Sequence, residues 1–277
     1  MKRLTSLTGF TAAVALTGLL AAACATSGAR SLGAGPTGAS PTPTITQSGP
    51  SPRPTSSPAR LFTFQIWLAK DGKLFETKRT EPFNVAVGKL ALDSLQKGPT
   101  DLEASTVGLS TTIPKGTTLT ITSLAGGTAT VQASPPLAHQ TPKAQVVFTL
   151  TQYANIQRVR FAGDPATYTR RSMEWALPPI AVDSPSIGQQ VSSPVRVSGT
   201  ANVFEGTVNV RILDANGHEL ARAFTTATCG TGCRGDYSVS VRFHVDRQQA
   251  GTVEVLDYSA KDGTPENVVS IPVILVP

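Results

Sequence analysis

The three cysteines are the residues of this chain whose chemistry depends most on their spacing. Cys229 and Cys233 enclose only Gly230-Thr231-Gly232, between two strand-like segments. In an oxidising compartment this spacing favours a disulfide that closes a short loop. A redox-active pair is more usually C-x-x-C beside a helix, and a zinc site needs two further ligands that are absent here. We therefore predict a structural disulfide, which leaves Cys24 as an odd thiol.

The three histidines do not occur in a pattern that supports catalysis or metal binding. His139 lies in a proline-rich loop, His218 follows a predicted hairpin turn, and His244 points outward from a predicted strand. None belongs to a nucleophile elbow, an H-E-x-x-H zinc motif or a Ser/His/Asp setting. The sequence also has no glycine-rich phosphate loop between a strand and a helix. We therefore predict a protein that is not an enzyme and that uses no metal and no cofactor.

The charge and composition of the chain argue against nucleic acid as its binding partner. The chain has 24 basic and 18 acidic side chains, a formal charge of +6, and 40% of its residues are apolar. Two of the basic residues, Lys2 and Arg3, precede an apolar stretch that we expect to be removed. No basic stripe alternates with aromatic residues, as a nucleic-acid groove requires. We predict that most of the chain folds and that nucleic acid is not its partner.

The first 23 residues have the pattern of an export signal. The apolar stretch from Gly9 to Ala23 is too short, and too interrupted by threonine, for a membrane-spanning helix. Leu20-Ala21-Ala22-Ala23-Cys24 then resembles a bacterial lipobox, although lipoboxes prefer leucine where Ala21 stands. The resemblance implies that Cys24 is diacylated and becomes the N-terminus on the extracytoplasmic face of the cell membrane. An ordinary signal peptide and an uncleaved membrane anchor are the alternatives.

Residues 24–60 form a predicted tether. After Cys24 the chain consists of serine, threonine, proline, glycine and alanine, with almost no large apolar side chain. Such a segment cannot bury enough surface to offset the entropy cost of ordering, so we predict a disordered linker. Its proline-rich part favours extended geometry, which would lift the folded domains away from the membrane.

The pattern of residues 61–174 predicts a first domain of strands and helices. Leu61 to Leu68 alternates like a half-buried strand and leads into a hairpin turn at Asp71-Gly72. Asn84 to Lys97 has helical spacing and is stopped by Gly98-Pro99. The run from Gln145 to Tyr153 is ambiguous, because its β-branched residues favour a strand whereas its apolar spacing favours a helix.

Three motifs in this domain resemble the GerMN domain of the GerM spore-germination family. They are Leu92-x-x-Leu95-x-x-Gly98-Pro99, the segment from Gly108 to Thr117, and Gln145-Val146-Val147-Phe148-Thr149-Leu150-Thr151-Gln152. The resemblance implies an α+β sandwich, a helix from Ala144 to Ala154, and a role in protein–protein contacts with no catalytic residues. The same residues also have a purely structural interpretation, as helix ends, turns and core side chains.

Residues 178–277 have the texture of an all-β domain. Alternating segments such as Val208-x-Val210-x-Ile212 are separated by turn signals every 8–12 residues, including Asn216-Gly217. The pattern predicts an immunoglobulin-like sandwich of about seven strands. The segments from Ile180 to Gly206 and from Ser259 to Gly263 resemble the immunoglobulin-like domain of bacterial spore germination, which implies a role in envelope adhesion or assembly. Within the first segment we predict that Phe204 fills the core and that the neighbouring glutamate caps backbone N–H groups.

The leading hypothesis is a membrane-anchored, extracytoplasmic lipoprotein that binds or assembles proteins of the cell envelope without catalysis. The acyl chains on Cys24 make the membrane one partner, and an envelope protein is the other. A module that binds cell-wall glycan or peptidoglycan is the alternative, with Trp67 and Trp175 as the only tryptophans. A cell-wall hydrolase is a third hypothesis.

Overall fold

The computed structural model describes residues 60–277, which belong to one compact unit. Elements up to residue 176 form an N-terminal half of strands and helices, and those from residue 180 form a C-terminal half of strands. The predicted export signal, the lipobox with Cys24 and nearly all of the predicted tether lie outside the described residues. The fold class is as predicted, whereas the exact domain limits, 61–174 and 178–277, stay a prediction.

The N-terminal half combines a two-stranded hairpin, a four-stranded sheet and two helices. In chain order its elements are β1 (Leu61–Lys70), β2 (Lys73–Pro82), α1 (Val87–Lys97), β3 (Thr118–Ala125), β4 (Thr128–Ser134), α2 (Gln140–Leu150), β5 (Arg158–Phe161) and β6 (Thr167–Tyr168). Strands β1 and β2 are antiparallel, and the four-stranded sheet has the order β3-β4-β5-β6. Short helical turns at Glu103–Val107 and Arg171–Ala176 complete the half.

The first helix is shorter than predicted at its start. Asn84 accepts a hydrogen bond from the backbone N–H of Ala86 through its side-chain oxygen, at 2.9 Å. This local turn competes with helix formation, so α1 begins at Val87 rather than near Asn84. At the other end Gly98 has a φ of 79°, which a residue with a side chain rarely adopts, and the helix stops there as predicted.

The ambiguous run after residue 145 is helical. Helix α2 spans Gln140–Leu150, so it begins and ends four residues earlier than the helix that the family resemblance implies. Pro142 fits in the first turn because the backbone N–H groups there have no partner within the helix. The apolar side chains of α2 are buried, Val147 fully and Phe148 almost fully. Tertiary packing therefore decides the ambiguity that local propensity leaves open.

The C-terminal half is a two-sheet sandwich of eight strands. They are β7 (Ile180–Ser184), β8 (Gln190–Val191), β9 (Val195–Ala201), β10 (Thr207–Asp214), β11 (Glu219–Thr226), β12 (Gly235–Val241), β13 (Gln249–Tyr258) and β14 (Pro265–Leu275). One sheet has the order β12-β9-β7 and the other the order β11-β10-β13-β14-β8. The inward side chains of β10 alternate as predicted, with Val208, Val210 and Ile212 all fully buried.

Two predictions in the turn before β10 are wrong. Phe204 is 56% exposed, so it does not fill the core. Glu205 has a φ of 53°, and its carboxylate makes no hydrogen bond within residues 60–277. Its backbone N–H instead donates to Thr231 Oγ1 at 2.9 Å, which ties the turn to the disulfide loop.

The two halves share their core. Buried apolar side chains from both halves form one connected cluster that runs from Phe64 to Leu275. Direct polar contacts also join them: Lys78 Nζ donates to the carbonyl of Asp183 at 2.6 Å, and Arg234 Nε lies 3.5 Å from a carboxylate oxygen of Glu174. Within the described residues, no helix has both the length and the apolar character needed to cross a bilayer.

Candidate interaction sites

The predicted disulfide is present between Cys229 and Cys233, whose Cα atoms are 5.7 Å apart. It closes the loop that joins β11 to β12. A hydrogen bond to a residue outside the loop also stabilises it, because Gly232 N donates to Asn202 Oδ1 at 3.0 Å. A Cβ atom on Gly230 would lie 2.2 Å from the backbone nitrogen of Gly206, so glycine is required where the two loops touch. The disulfide between Cys229 and Cys233 therefore has a structural role, which is to stabilise the conformation of this loop.

The histidines lie on the surface, apart from one another in the chain and in the fold. His139 is exposed. The side chains of His218 and His244 are 78% and 87% exposed, and each lies near only one carboxylate, Asp214 and Asp246 respectively. The part of the chain that the structure describes holds no cluster of three or more histidine, cysteine or acidic side chains arranged for a metal ion.

A buried and a half-buried carboxyl group lie side by side where the two halves meet. Glu76 on β2 is only 7% exposed, and its carboxyl group contacts that of Asp183 on β7. Burial, with the nearby negative charge of Asp183, raises the pKa of Glu76 to about 9. Burial also raises the pKa of Asp183, although its hydrogen bond with Glu76 and the positive charges of Lys78 and Arg170 counteract this. At neutral pH Glu76 therefore holds its proton beside Asp183.

Two arginines that border the same cleft as Asp183 make contacts within the protein. The Arg170 guanidinium lies 5.5 Å from the Trp67 ring centroid and 5.1 Å from that of Phe148, and it donates to the Phe148 carbonyl at 2.9 Å. Arg234 donates to the Pro178 carbonyl at 2.6 Å, and its Nε lies 3.5 Å from a carboxylate oxygen of Glu174.

These groups border a cleft of about 410 Å³ between the halves. The contacts of Arg170 and Arg234 with backbone carbonyls on its border help to hold the two halves together.

An aromatic surface lies on the outward side of the five-stranded sheet. Phe224 on β11 is 71% exposed and Tyr258 at the end of β13 is 37% exposed. They border a hollow of about 360 Å³ together with Asn209, Arg211 and Arg222. The two tryptophans, on which a glycan-binding role depended in the sequence, lie elsewhere: Trp67 is buried and Trp175 is 48% exposed. The signal that could have shown the surface is the outward position of Phe224 in the alternation of β11.

The chain is similar to known protein families over most of the described residues. Residues 67–166 match the family described as sporulation and spore germination, and residues 179–264 match the immunoglobulin-like domain of bacterial spore germination. No curated protein matches the chain. Neither family is known for enzymatic activity, which agrees with a non-catalytic module.

One solved structure is also similar, the tandem GerMN domains of the sporulation protein GerM from Bacillus subtilis. The two share 13% sequence identity with a TM-score of 0.33, and the match covers 78% of this chain and 61% of that chain. The chain therefore spans less than two thirds of the length of that structure. On the two family matches, this chain carries a domain of the sporulation and spore germination family followed by an immunoglobulin-like domain of bacterial spore germination.

Proposed function

We propose that the protein is a lipid-anchored module on the extracytoplasmic face of the cell membrane that holds envelope proteins together without catalysing a reaction. Two adjoining domains of the germination type support a non-catalytic role. The lipobox-like segment that ends at Cys24 supports the anchor. The disulfide between Cys229 and Cys233 supports export, because such bonds persist in oxidising compartments.

The observation that carries the binding role is an apolar patch at the end of the β1–β2 hairpin opposite its turn. The patch consists of Leu61, Phe62, Phe83 and Val85, of which Leu61 is 64%, Phe83 45% and Val85 89% exposed. Exposed apolar side chains grouped in this way mark interaction surfaces, since covering them releases water and stabilises the complex.

Local contacts hold the patch in place. The Phe62 and Phe83 rings have centroids 6.1 Å apart, and the Arg60 guanidinium lies 5.3 Å from the Phe83 ring centroid. The backbone N–H of Phe83 also donates to the Arg60 carbonyl at 2.7 Å. The patch adjoins residue 60, so a protein bound there lies beside the point at which the predicted tether enters the folded unit.

Photocrosslinking in whole cells tests the binding role. A photoreactive residue at position 85 is expected to capture one defined envelope protein, whereas the same residue at the exposed position 124 on β3 is expected not to capture it. The double substitution Phe83→Ser and Val85→Ser is expected to lower co-purification of that protein about tenfold or more. Capture of no protein, or equal capture from both positions, would contradict the proposal.

Intact-mass measurement of the membrane fraction tests the anchor separately. The mature chain is expected to begin at Cys24 and to carry the added mass of a diacylglycerol group, and Cys24→Ala is expected to abolish the modification. An unmodified N-terminus at Cys24 would refute the anchor while leaving the crosslinking result intact.

A further inference from the structure

The outward side of strands β11, β10 and β13 carries exposed aromatic side chains among polar and charged ones, and the packing of the sandwich does not require aromatic residues there. We call this the aromatic face and define it by Asn209, Arg211, Arg222, Phe224 and Tyr258, which border one hollow of about 360 Å³. Phe224 has the largest exposed fraction of any aromatic residue in the part of the chain that the structure describes, 71%.

The register of the sheet brings these side chains together. Asn209 on β10 is the cross-strand partner of Phe224 on β11, and Arg211 is the partner of Arg222. Cross-strand partners point to the same side of an antiparallel sheet, so all four project outward, away from the buried Val208 and its neighbours. Packing against Asn209 does not explain why a phenylalanine occupies position 224, because most of the side chain remains exposed to water.

The charges on the aromatic face are paired. Arg211 Nη2 lies 2.6 Å from Glu254 Oε2, and Arg222 binds both carboxylate oxygens of Glu219 at 2.6 and 2.9 Å. The face is therefore rich in donors and acceptors but carries no net charge from these four groups. Neither a polyanion nor an anionic lipid surface is complementary to such a face.

We propose that the aromatic face binds a neutral, hydroxyl-rich polysaccharide. The apolar C–H side of a sugar ring packs against Phe224 and Tyr258, while its hydroxyl groups bond to Asn209 and to the paired arginines and glutamates. The size of the hollow is in the range of small-molecule sites. This function goes beyond the proposed protein-binding role and uses a different surface.

Co-sedimentation of the purified full-length protein in detergent with two insoluble polysaccharides tests the proposal. The probes are chitin and peptidoglycan sacculi that have been stripped of proteins by hot detergent and protease. The wild type is expected to bind chitin, which is the uncharged probe, and Phe224→Ala is expected to weaken this binding about tenfold or more. Raising the salt from about 0.1 to about 0.5 M is expected to change binding little, because the face has no net charge.

Phe83→Ala is the matched control, since it removes an exposed phenylalanine from the apolar patch on the other half. It is expected to leave polysaccharide binding unchanged, and Phe224→Ala is expected to leave capture of the envelope protein unchanged. Both variants should melt at the wild-type temperature. Failure of the wild type to bind chitin, equal loss in both variants, or binding only to sacculi would overturn the proposal. None of these results would bear on the apolar patch.

Discussion

The side-chain amide of Gln152 forms hydrogen bonds with both backbone groups of Gln65. Gln65 N donates to Gln152 Oε1 at 2.8 Å, and Gln152 Nε2 donates to the Gln65 carbonyl at 2.7 Å. Two further side chains of the same segment continue the pattern, because Trp67 N donates to Thr149 Oγ1 at 3.1 Å and Gln145 Nε2 donates to the Trp67 carbonyl at 2.9 Å. Side chains from α2 and the turn after it thus replace a neighbouring strand along the edge of β1.

Gln152→Leu is expected to lower the free energy of unfolding by about 2–3 kcal/mol. The substitution leaves the N–H and the carbonyl of Gln65 without their partner, in a part-buried place where unpaired groups are costly. Urea unfolding followed by circular dichroism measures the change. Gln132→Leu on β4 is the control, because Gln132 is exposed and bonds only to the carbonyl of Ala133, so it should shift stability by less than about 0.5 kcal/mol. Equal losses of stability in the Gln152→Leu and Gln132→Leu variants would show that the hydrogen bonds between Gln152 and Gln65 do not stabilise the fold.

Stability is expected to fall as the pH rises from about 4.5 to about 9, because Glu76 holds its proton more tightly in the folded than in the unfolded chain. Below this range both states carry the proton and the contribution is complete. Above it, the folded state must accommodate the negative charge of Glu76 in its buried place beside Asp183. The decline attributable to one group is at most about 1.4 kcal/mol per pH unit.

The variant Glu76→Gln isolates this contribution. An amide keeps the shape of the protonated carboxyl but does not titrate, so the variant should lose less stability between pH 5 and pH 9 than the wild type, in buffers spaced about one unit apart. Glu81→Gln removes a carboxyl from the same strand and should keep the wild-type pH profile. If the Glu76→Gln and wild-type profiles run parallel, the carboxyl pair is not the cause of the decline.

The sequence predicted what depends on local pattern and missed what depends on distant neighbours. The strands, the hairpin turn at Asp71-Gly72 and the disulfide follow from alternation and spacing. Glu76 looked like an ordinary strand residue, since Asp183 lies more than 100 residues away and only the contact between the halves brings the two together. Phe204 was misassigned because a large apolar residue beside glycine gives no indication of which side of a turn it occupies.

Removing the disulfide is expected to lower stability by about 2 kcal/mol, the chain-entropy value for a loop this short. The double variant Cys229→Ser and Cys233→Ser should still fold, because the bond between Gly232 N and Asn202 holds the loop independently. Urea unfolding measures the loss. On the wild type, a thiol reagent applied without reductant should modify neither cysteine. Labelling of both in the native protein would show that the bond is absent.

Gly199 is expected to tolerate no side chain, which gives a physical reason for its place in the Val195-x-Val197-x-Gly199 motif. It lies on the central strand β9, where a Cβ atom would be 2.0 Å from the Ala181 carbonyl oxygen and 2.8 Å from the Tyr237 hydroxyl oxygen. Those two atoms are themselves hydrogen-bonded at 3.2 Å in the core.

Gly199→Ala must therefore push β7 away and break that bond, at a cost of roughly 3 kcal/mol. Thermal unfolding should show a large drop in the melting temperature, whereas Ser198→Ala, one residue earlier on the same strand and facing the opposite side, should change it little. An unchanged melting temperature for Gly199→Ala would mean that β7 and β9 are not packed as closely as the structure describes.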